Sequence, residues 1–236
     1  MPRPALVLLT GAGISAESGL RTFRDADGLW ENHRVEEVAT PEAFRRDPDL
    51  VYRFYNERRR SLGAVGPNAA HLALARLEAA WDGDFLLVTQ NVDDLHDRAG
   101  SRRLLHMHGE LLKGRCLACD AVLDWPGDMD RDSRCPRCAR GSVRPHIVWF
   151  HERPLAMDRI FDALERCDCF VSIGTSGHVY PAAGFVQAVG PACRTVELNL
   201  APSLVASAFR EVRTGPATEL VPAFVAELLA PGAGEA

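Results

Sequence analysis

The chain has 236 residues, enough for one sizeable buried core with a smaller module beside it. Hydrophobic residues at 47% and charged residues at 25% exclude fibrous and disordered classes. The 27 Lys+Arg against 32 Asp+Glu give a net charge of −5, without the basic excess that a phosphate backbone attracts, so nucleic acid is not an expected partner.

In chain order, Ala5-Leu-Val-Leu-Leu-Thr10 has the unbroken apolar character of a strand buried on both faces. The run is too short for a signal-peptide core or a membrane span, so a cytoplasmic location and no membrane partner are expected. It leads into Gly11-Ala12-Gly13-Ile14-Ser15-Ala16, the G-x-G-x-x-A spacing of a strand-turn-helix unit. In that motif the first glycine permits a tight turn and the second lets a pyrophosphate approach the backbone. The small last residue lets the helix pack on the strand, and the phosphate sits at a helix N-terminus. No clear acidic residue ends a second strand about 20 residues on, where NAD dehydrogenases place one, which disfavours hydride transfer.

Residues 25–62 are polar with a helical pattern, with Asp47 as a candidate cap and Pro48 at the first helical position. Asn68 can cap the next helix, which carries Leu72, Leu74 and Leu77. Further buried strands are expected at 85–89, 104–107, 147–150, 170–173 and 195–198, each short, apolar and bounded by turn residues. Helical faces follow at Met157, Ile160, Phe161 and Leu164, and at Val221, Phe224, Val225 and Leu228. Strands alternating with helices point to an α/β fold, a doubly wound, Rossmann-like, mostly parallel sheet covered on both faces.

Two stretches, 25–62 and 113–144, break the alternation and are expected to form a smaller domain: a helical insert and a cysteine module. The Rossmann-like part is then 1–24, 63–112 and 145–230 of one catalytic unit, with 231–236 a disordered tail. In the second stretch Cys116-x-x-Cys119 and Cys135-x-x-Cys138 are separated by fifteen residues, which suits two knuckles closing a tetrahedral S4 zinc site. Four thiolates leave the metal no open position, so one structural zinc is expected. Cys167, Cys169 and Cys193 lie among apolar residues and should be buried thiols.

Gly11-Ala-Gly-Ile-Ser-Ala-Glu-Ser-Gly19, Thr22-Phe-Arg24, Thr89-Gln-Asn-Val-Asp93, His108-Gly109, Gly174-Thr-Ser176 and Glu197-Leu-Asn199 follow the order of sirtuin motifs. The chain resembles that family from residue 5 to about 230. Thr40-Pro-Glu42, Phe54-Tyr-Asn56, Gly177-His-Val-Tyr-Pro181 and Gly215-Pro-Ala217 make it similar to the bacterial CobB-type members of class III. The resemblance implies NAD-dependent protein-lysine deacylation, with acylated lysines of proteins as partners and NAD consumed as co-substrate. Nicotinamide, O-acyl-ADP-ribose and free lysine are the implied products.

The same resemblance assigns Gly11, Ala12, Gly13, Ser15, Ala16, Glu17, Phe23 and Arg24 to the pyrophosphate and nicotinamide end, with Trp30 also at the cofactor. Asn91 and Asp93, flanked by Gln90 and Val92, would hold the nicotinamide carboxamide, with Asn91 also counted as catalytic. Ser176, Asn199 and Ala217 would line the adenosine half, with Gly174, Thr175, Leu200 and Ala201 completing the cofactor set. A local alternative is that Asn91 and Asp93 cap a helix beginning near Val92. His108 is the implied general base, an imidazole able to take a proton near neutral pH. Its neighbour His106 is an equal candidate until the following glycine and the motif order select His108.

For the substrate, class III sirtuins use a Tyr-x-x-Arg pair on the acid end of succinyl, malonyl or glutaryl lysine, and Tyr55 and Arg58 supply it here. The competing reading makes Arg58-Arg59-Arg60 a solvated face and Tyr55 core packing. Val148 and Phe150 would pair with the peptide backbone. His151 stands where the family has glycine, and it fits if extended but is strained if the position needs a positive φ. A protein ADP-ribosyltransferase and a zinc-ribbon binding module without catalysis are the alternative functions.

Overall fold

Nine strands and nine α-helices are found among residues 3–21 and 33–230, which the computed structural model describes. Phe23, Arg24, Trp30 and the tail 231–236 lie outside these residues. The strands are β1 (Leu6–Thr10), β2 (Phe85–Thr89), β3 (Leu104–His106), β4 (Gly109–Cys116), β5 (Val122–Asp124), β6 (Val143–Ile147), β7 (Cys169–Ile173), β8 (Arg194–Asn199) and β9 (Glu211–Thr214). The helices are α1 (Gly13–Ala16), α2 (Val35–Val38), α3 (Pro41–Arg46), α4 (Pro48–Leu62), α5 (Ala69–Ala80), α6 (Leu95–Ala99), α7 (Met157–Arg166), α8 (Phe185–Ala188) and α9 (Ala217–Leu229).

Six strands make one parallel sheet in the order β3-β2-β1-β7-β8-β9. The order runs outward from β1 and β7, so the topological switch point lies between them. Side chains alternate across a strand, and β1 shows the result. Leu6 and Leu8 join a core with Leu74 and Leu77 of α5 and Phe224 of α9, while Val7 and Leu9 face Met157, Ile160 and Leu164 of α7 and Phe185 of α8. Both faces are covered, which is why the central strands are continuously apolar.

β5, β4 and β6 form a second, antiparallel sheet. Helices α2 to α4 pack against it through Val38, Val51, Phe54, Tyr55, Leu111 and Trp149. Asp47 caps α4 by accepting from the amide of Leu50, with Pro48 in the first turn, and Asn68 caps α5 by accepting from the amides of Ala70 and His71. Three expectations need correction. The run 147–150 is not a strand of the main sheet: β6 ends at Ile147, and the amides of Val148 and Phe150 donate to the carbonyls of His108 and Ala39 at 2.8 and 3.0 Å. Its apolar character reflects Trp149, buried in the core of the helical insert. Leu72 and Phe161 are exposed. β9, whose half-buried and exposed residues alternate, escapes a search for wholly apolar runs.

Candidate functional site

Because the six strands are parallel, their carboxyl ends share one edge: Thr10 is level with Thr89 and Ile173, Thr89 with His106, and Asn199 with Thr214. The segments that follow carry residues 11–17, 90–93, 108, 174–176, 199–201 and 217, so the described cofactor candidates come together there. Crevices at this edge beside the switch point are where open α/β sheets bind ligands.

The two glycines after β1 are explained by the chain itself. A Cβ on Gly11 would meet the carbonyl oxygen of Gly174 at 2.8 Å, and one on Gly13 would lie 2.7 Å from the Cα of Gly174. The amide of Gly13 donates to Gly174 at 2.9 Å, so it is committed within the protein. Gly174 itself has φ +62°, a left-handed conformation that favours glycine. The motif thus serves the close crossing of the β1 and β7 turns, whatever it does for a pyrophosphate. Ala16 is exposed, so its small size is not needed for packing on the sheet, and α1 is a single four-residue turn with Ala12 at its N-cap. Glu17 accepts from the amide of Thr218 at 3.2 Å, tying α1 to the start of α9 beside Ala217.

Asn91 and Asp93 are buried and share Ser15. The Asn91 amide donates to Gly11 O and to Ser15 Oγ, each at 3.1 Å, and the Ser15 hydroxyl donates to Asp93 at 3.0 Å. Asp93 also accepts from the amide of Leu95 at 3.1 Å. Burial nevertheless holds its carboxyl above the usual carboxylate range. The helix starts at Leu95, not near Val92, and Asn91 does not cap it. Gln90 and Val92 contribute carbonyls, to the His108 ring at 3.1 Å and to the amide of Leu111 at 2.8 Å.

The two histidines separate clearly. His106 engages both ring nitrogens, Nε2 with Asp97 at 3.0 Å and Nδ1 with the Asn91 carbonyl at 3.4 Å. Burial pulls its pKa down, but the hydrogen bond and charge of Asp97, with further help from Glu110, outweigh that and raise it. His108 bonds only through Nδ1 among the described residues, to the Gln90 carbonyl at 3.1 Å. A carbonyl can only accept, so Nδ1 carries the proton and the neutral ring has its lone pair on Nε2. Burial lowers the His108 pKa. His108 therefore has the tautomer and protonation state that a base requires.

In the loops after β7 and β8, Gly174 and Asn199 are half-buried, whereas Ser176, Leu200 and Ala201 are exposed. Asn199 donates to the Thr175 carbonyl at 2.6 Å and Thr175 bonds Ser172 at 2.8 Å, which fixes the loops after β7 and β8. The buried Asn91 and Asp93, the close glycine crossing and the polar Ser176 and Asn199 at the same sheet edge make a lining that fits a dinucleotide.

In α4, Tyr55 is fully buried, and its hydroxyl accepts from the Trp149 indole at 3.0 Å. The half-buried Arg58 lays its guanidinium 3.7 Å from the Phe54 ring centre. Burial pushes the Tyr55 phenol up, opposed by the Trp149 hydrogen bond and by the charge of Arg58. The three arginines are not one solvated face: Arg59 is buried, bonded to Leu111 O and Asn56 Oδ1 at 2.9 and 2.6 Å, whereas the exposed Arg60 pairs with Asp128. The amides of Val148, Trp149 and Phe150 all donate within the chain, so a peptide along this edge would meet carbonyls. His151 has φ +71°, so the glycine-favouring conformation is kept by a histidine, whose exposed ring lies 3.7 Å from Glu42.

The four paired cysteines bring their sulfurs within 4.8 Å of one another. The closest pairs, Cys116 with Cys138 and Cys119 with Cys135, are 3.6 and 3.8 Å apart. A Zn–S bond of about 2.3 Å in a tetrahedron requires S···S edges of about 3.8 Å, so the cluster fits one structural zinc. Both knuckles are built alike, each ending in a left-handed residue, Asp120 or Ala139, whose amide returns to the first cysteine's carbonyl at 3.1 or 2.8 Å. Cys167, Cys169 and Cys193 are buried.

Several supporting residues were not read from the sequence. His71, held by Asn68 at 3.0 Å, reaches Ser15 at 3.4 Å, and His96 bonds Thr10, which donates to Thr89. Arg144 and Glu152 clamp the turn that carries Trp149. The only available signal was polar residues inside otherwise apolar segments.

The Sir2 family model matches residues 11–181. An NAD-dependent protein deacylase of Yersinia pseudotuberculosis is 60% identical over 233 residues, covering 97% of this chain and 84% of the relative. One from Pasteurella multocida is 60% identical over 228 residues, covering 95% and 97%. Among solved structures, a Sir2 homologue in complex with NAD is 38% identical with a TM-score of 0.86, over 95% of this chain and 90% of the other. A Sir2 variant with a deacetylated peptide and 3′-O-acetyl ADP-ribose is 27% identical with a TM-score of 0.80, over 94% and 92%.

Proposed function

This chain belongs to the Sir2 family, and we propose that its NAD-dependent protein deacylase activity favours lysine acyl groups ending in a carboxylate. The observation that carries this reading is the buried Tyr55 phenol with the half-buried Arg58 guanidinium one helical turn away. A guanidinium fork beside a phenol matches the acid end of succinyl, malonyl or glutaryl lysine, whereas an acetyl group leaves that charge without a partner on the substrate.

When bound, NAD would supply an electrophilic ribose carbon and the hydroxyl that receives the acyl group, so that acyl-lysine, NAD and water would give lysine, nicotinamide and O-acyl-ADP-ribose. In our reading Nε2 of His108 takes the proton from that hydroxyl, supported by the donation of Nδ1 to Gln90. Asn91 and Asp93, fixed through Ser15, orient the carboxamide, with Asn91 nearest the chemistry. Phe23, Arg24 and Trp30 complete this end, and Val148 and Phe150 bound the peptide. The parts 1–24, 63–112 and 145–230 act with the insert 25–62 and the zinc module 113–144 as one catalytic unit. We infer a cytoplasmic location; among the described residues no helix is long and apolar enough to cross a membrane.

The test is incubation with NAD and matched succinyl, malonyl, glutaryl and acetyl peptides, followed by mass spectrometry. Loss of the acyl mass with appearance of nicotinamide is expected, with succinyl at least as fast as acetyl. Gain of an ADP-ribosyl mass on the peptide, or acetyl removal far outpacing all acidic groups, would overturn the reading.

A further inference from the structure

His96 lies in the short helix α6, 1% exposed, and the chemistry described so far does not use it. Its Nε2 is 3.0 Å from the Thr10 hydroxyl at the end of β1, and the His71 ring is 4.8 Å away at 61°. Burial, helped by the charges of His71 and His106, drives the His96 pKa well below the ordinary imidazole value, and burial pulls His71 down to about 4. Both rings are therefore neutral in the physiological range.

The hydrogen bonds around His96 run in one direction. Thr10 donates its hydroxyl proton to Thr89 Oγ1 at 2.9 Å, so toward His96 the Thr10 oxygen accepts. The imidazole proton is then on Nε2, and Nδ1, buried and without a partner among the described residues, keeps a lone pair. Thr89 Oγ1 accepts a second hydrogen bond, from the backbone amide of Asn91 at 3.1 Å. A chain thus leads from the His96 N–H through Thr10 to the oxygen that holds the Asn91 backbone. From there the Asn91 side chain donates to Gly11 O and Ser15 Oγ, so its backbone and its amide are set together.

We propose that His96 is a positioning residue for the nicotinamide end of NAD, its Nε2–H fixing the Thr10–Thr89 hydroxyl chain that sets Asn91. The proposal rests on the reading that Asn91 holds the nicotinamide carboxamide. The sheet does not need this chain, because β1 and β2 already pair through their backbones with Thr10 level with Thr89. Packing does not need an imidazole either: an apolar side chain would fill the space without burying an unpaired nitrogen. What the ring supplies is a donor. Without it the Thr10 hydroxyl can turn away from Thr89, and the oxygen under the Asn91 amide loses its fixed direction. The effect passes through Asn91 alone, so a ligand with the nicotinamide ring should feel the loss and ADP-ribose, which lacks that ring, should not.

The test measures calorimetric Kd values for NAD and for ADP-ribose, without acyl peptide, in His96→Leu, His96→Gln, Thr10→Val and Asn91→Ala. His96→Leu should raise the Kd for NAD about three- to tenfold, the loss of one hydrogen bond's worth of orientation, and leave that for ADP-ribose unchanged. His96→Gln, whose amide N–H can reach the same oxygen, should recover most of the affinity. Thr10→Val should match His96→Leu, and combining the two should cost no more than either alone. If Asn91→Ala weakens neither ligand, or both equally, the carboxamide reading itself fails. If Asn91→Ala is selective for NAD while His96→Leu weakens neither ligand or both equally, or His96→Gln is as poor as His96→Leu, the reading stands and the positioning role is overturned. Should thermal melting show His96→Leu unfolded, Thr10→Val decides: a loss confined to NAD supports the proposal, and no loss or equal losses refute it.

Discussion

Replacing Gly13 by alanine distinguishes two reasons for the glycine pair after β1. The new Cβ would lie 2.7 Å from the Cα and 2.8 Å from the carbonyl oxygen of Gly174, against an ordinary carbon contact of about 3.5–4.0 Å. The crossing is tight from both sides, since a Cβ on Gly174 would lie 2.5 Å from the amide nitrogen of Ile14. The two turns must part, which also stretches the 2.9 Å bond from the Gly13 amide. Overpacking of this kind costs about 1–3 kcal/mol and a weakened hydrogen bond adds about 1 kcal/mol, offset by up to about 1 kcal/mol of better helix propensity. A net loss of about 1–4 kcal/mol lowers Tm by roughly 2–16 °C in a chain of this length. The assay is thermal unfolding followed by circular dichroism without NAD. An unchanged Tm together with a raised KM for NAD would refute the steric account and leave the glycine to the pyrophosphate alone.

Metal analysis of purified protein should find one zinc per chain, and Cys135→Ser should lower both zinc content and Tm; metal-free protein with unchanged stability would contradict this. His108→Ala should abolish turnover while calorimetric NAD affinity is largely kept, and His106→Ala should have a smaller effect. The pH profile separates the two rings, because burial lowers the His108 pKa and the Asp97 pair raises that of His106. A base must be neutral, so activity should persist below pH 6.5 and fall only at lower pH; an acidic limb centred above pH 6.5 would implicate His106. His151→Gly should relieve the φ of +71° and raise Tm by about 1–3 °C, since the exposed Glu42 contact contributes little; a lower Tm would refute the strain.

The main sheet was legible because its strands are buried on both faces, and 85–89 coincides with β2. Local composition reports burial, however, and not which sheet receives the segment. Val148-Trp149-Phe150 has the same apolar run as a central strand, but its amides go to His108, Glu152 and Ala39, so tertiary pairing decides. β4 and β5 were hidden for the opposite reason. β4 mixes buried with half-buried positions and β5 has no buried residue, and cysteines with small residues such as Gly114 and Gly141 take much of the place of large apolar side chains. A Cβ on Gly141 would lie 2.5 Å from Cys116 Sγ, so packing around the metal ligands, not hydrophobicity, sets that segment.

Functional residues were legible where chemistry sits in a short run directly after a strand, as in Thr89-Gln-Asn-Val-Asp93, since a parallel sheet delivers every such run to one edge. The partners that orient them are distant: Ser15 meets Asp93 from 78 positions away and His71 from 56, and Trp149 meets Tyr55 from 94. No local pattern can state that a buried indole will find a phenol and not a carbonyl, because that depends on how α4 and the turn after β6 are placed by the insert's own core. That placement has a chemical consequence. Arg144 and Glu152, paired at 2.7 and 2.9 Å, hold the Trp149 turn from outside the insert, so the indole that reaches Tyr55 is fixed by charges far from Tyr55 in the chain.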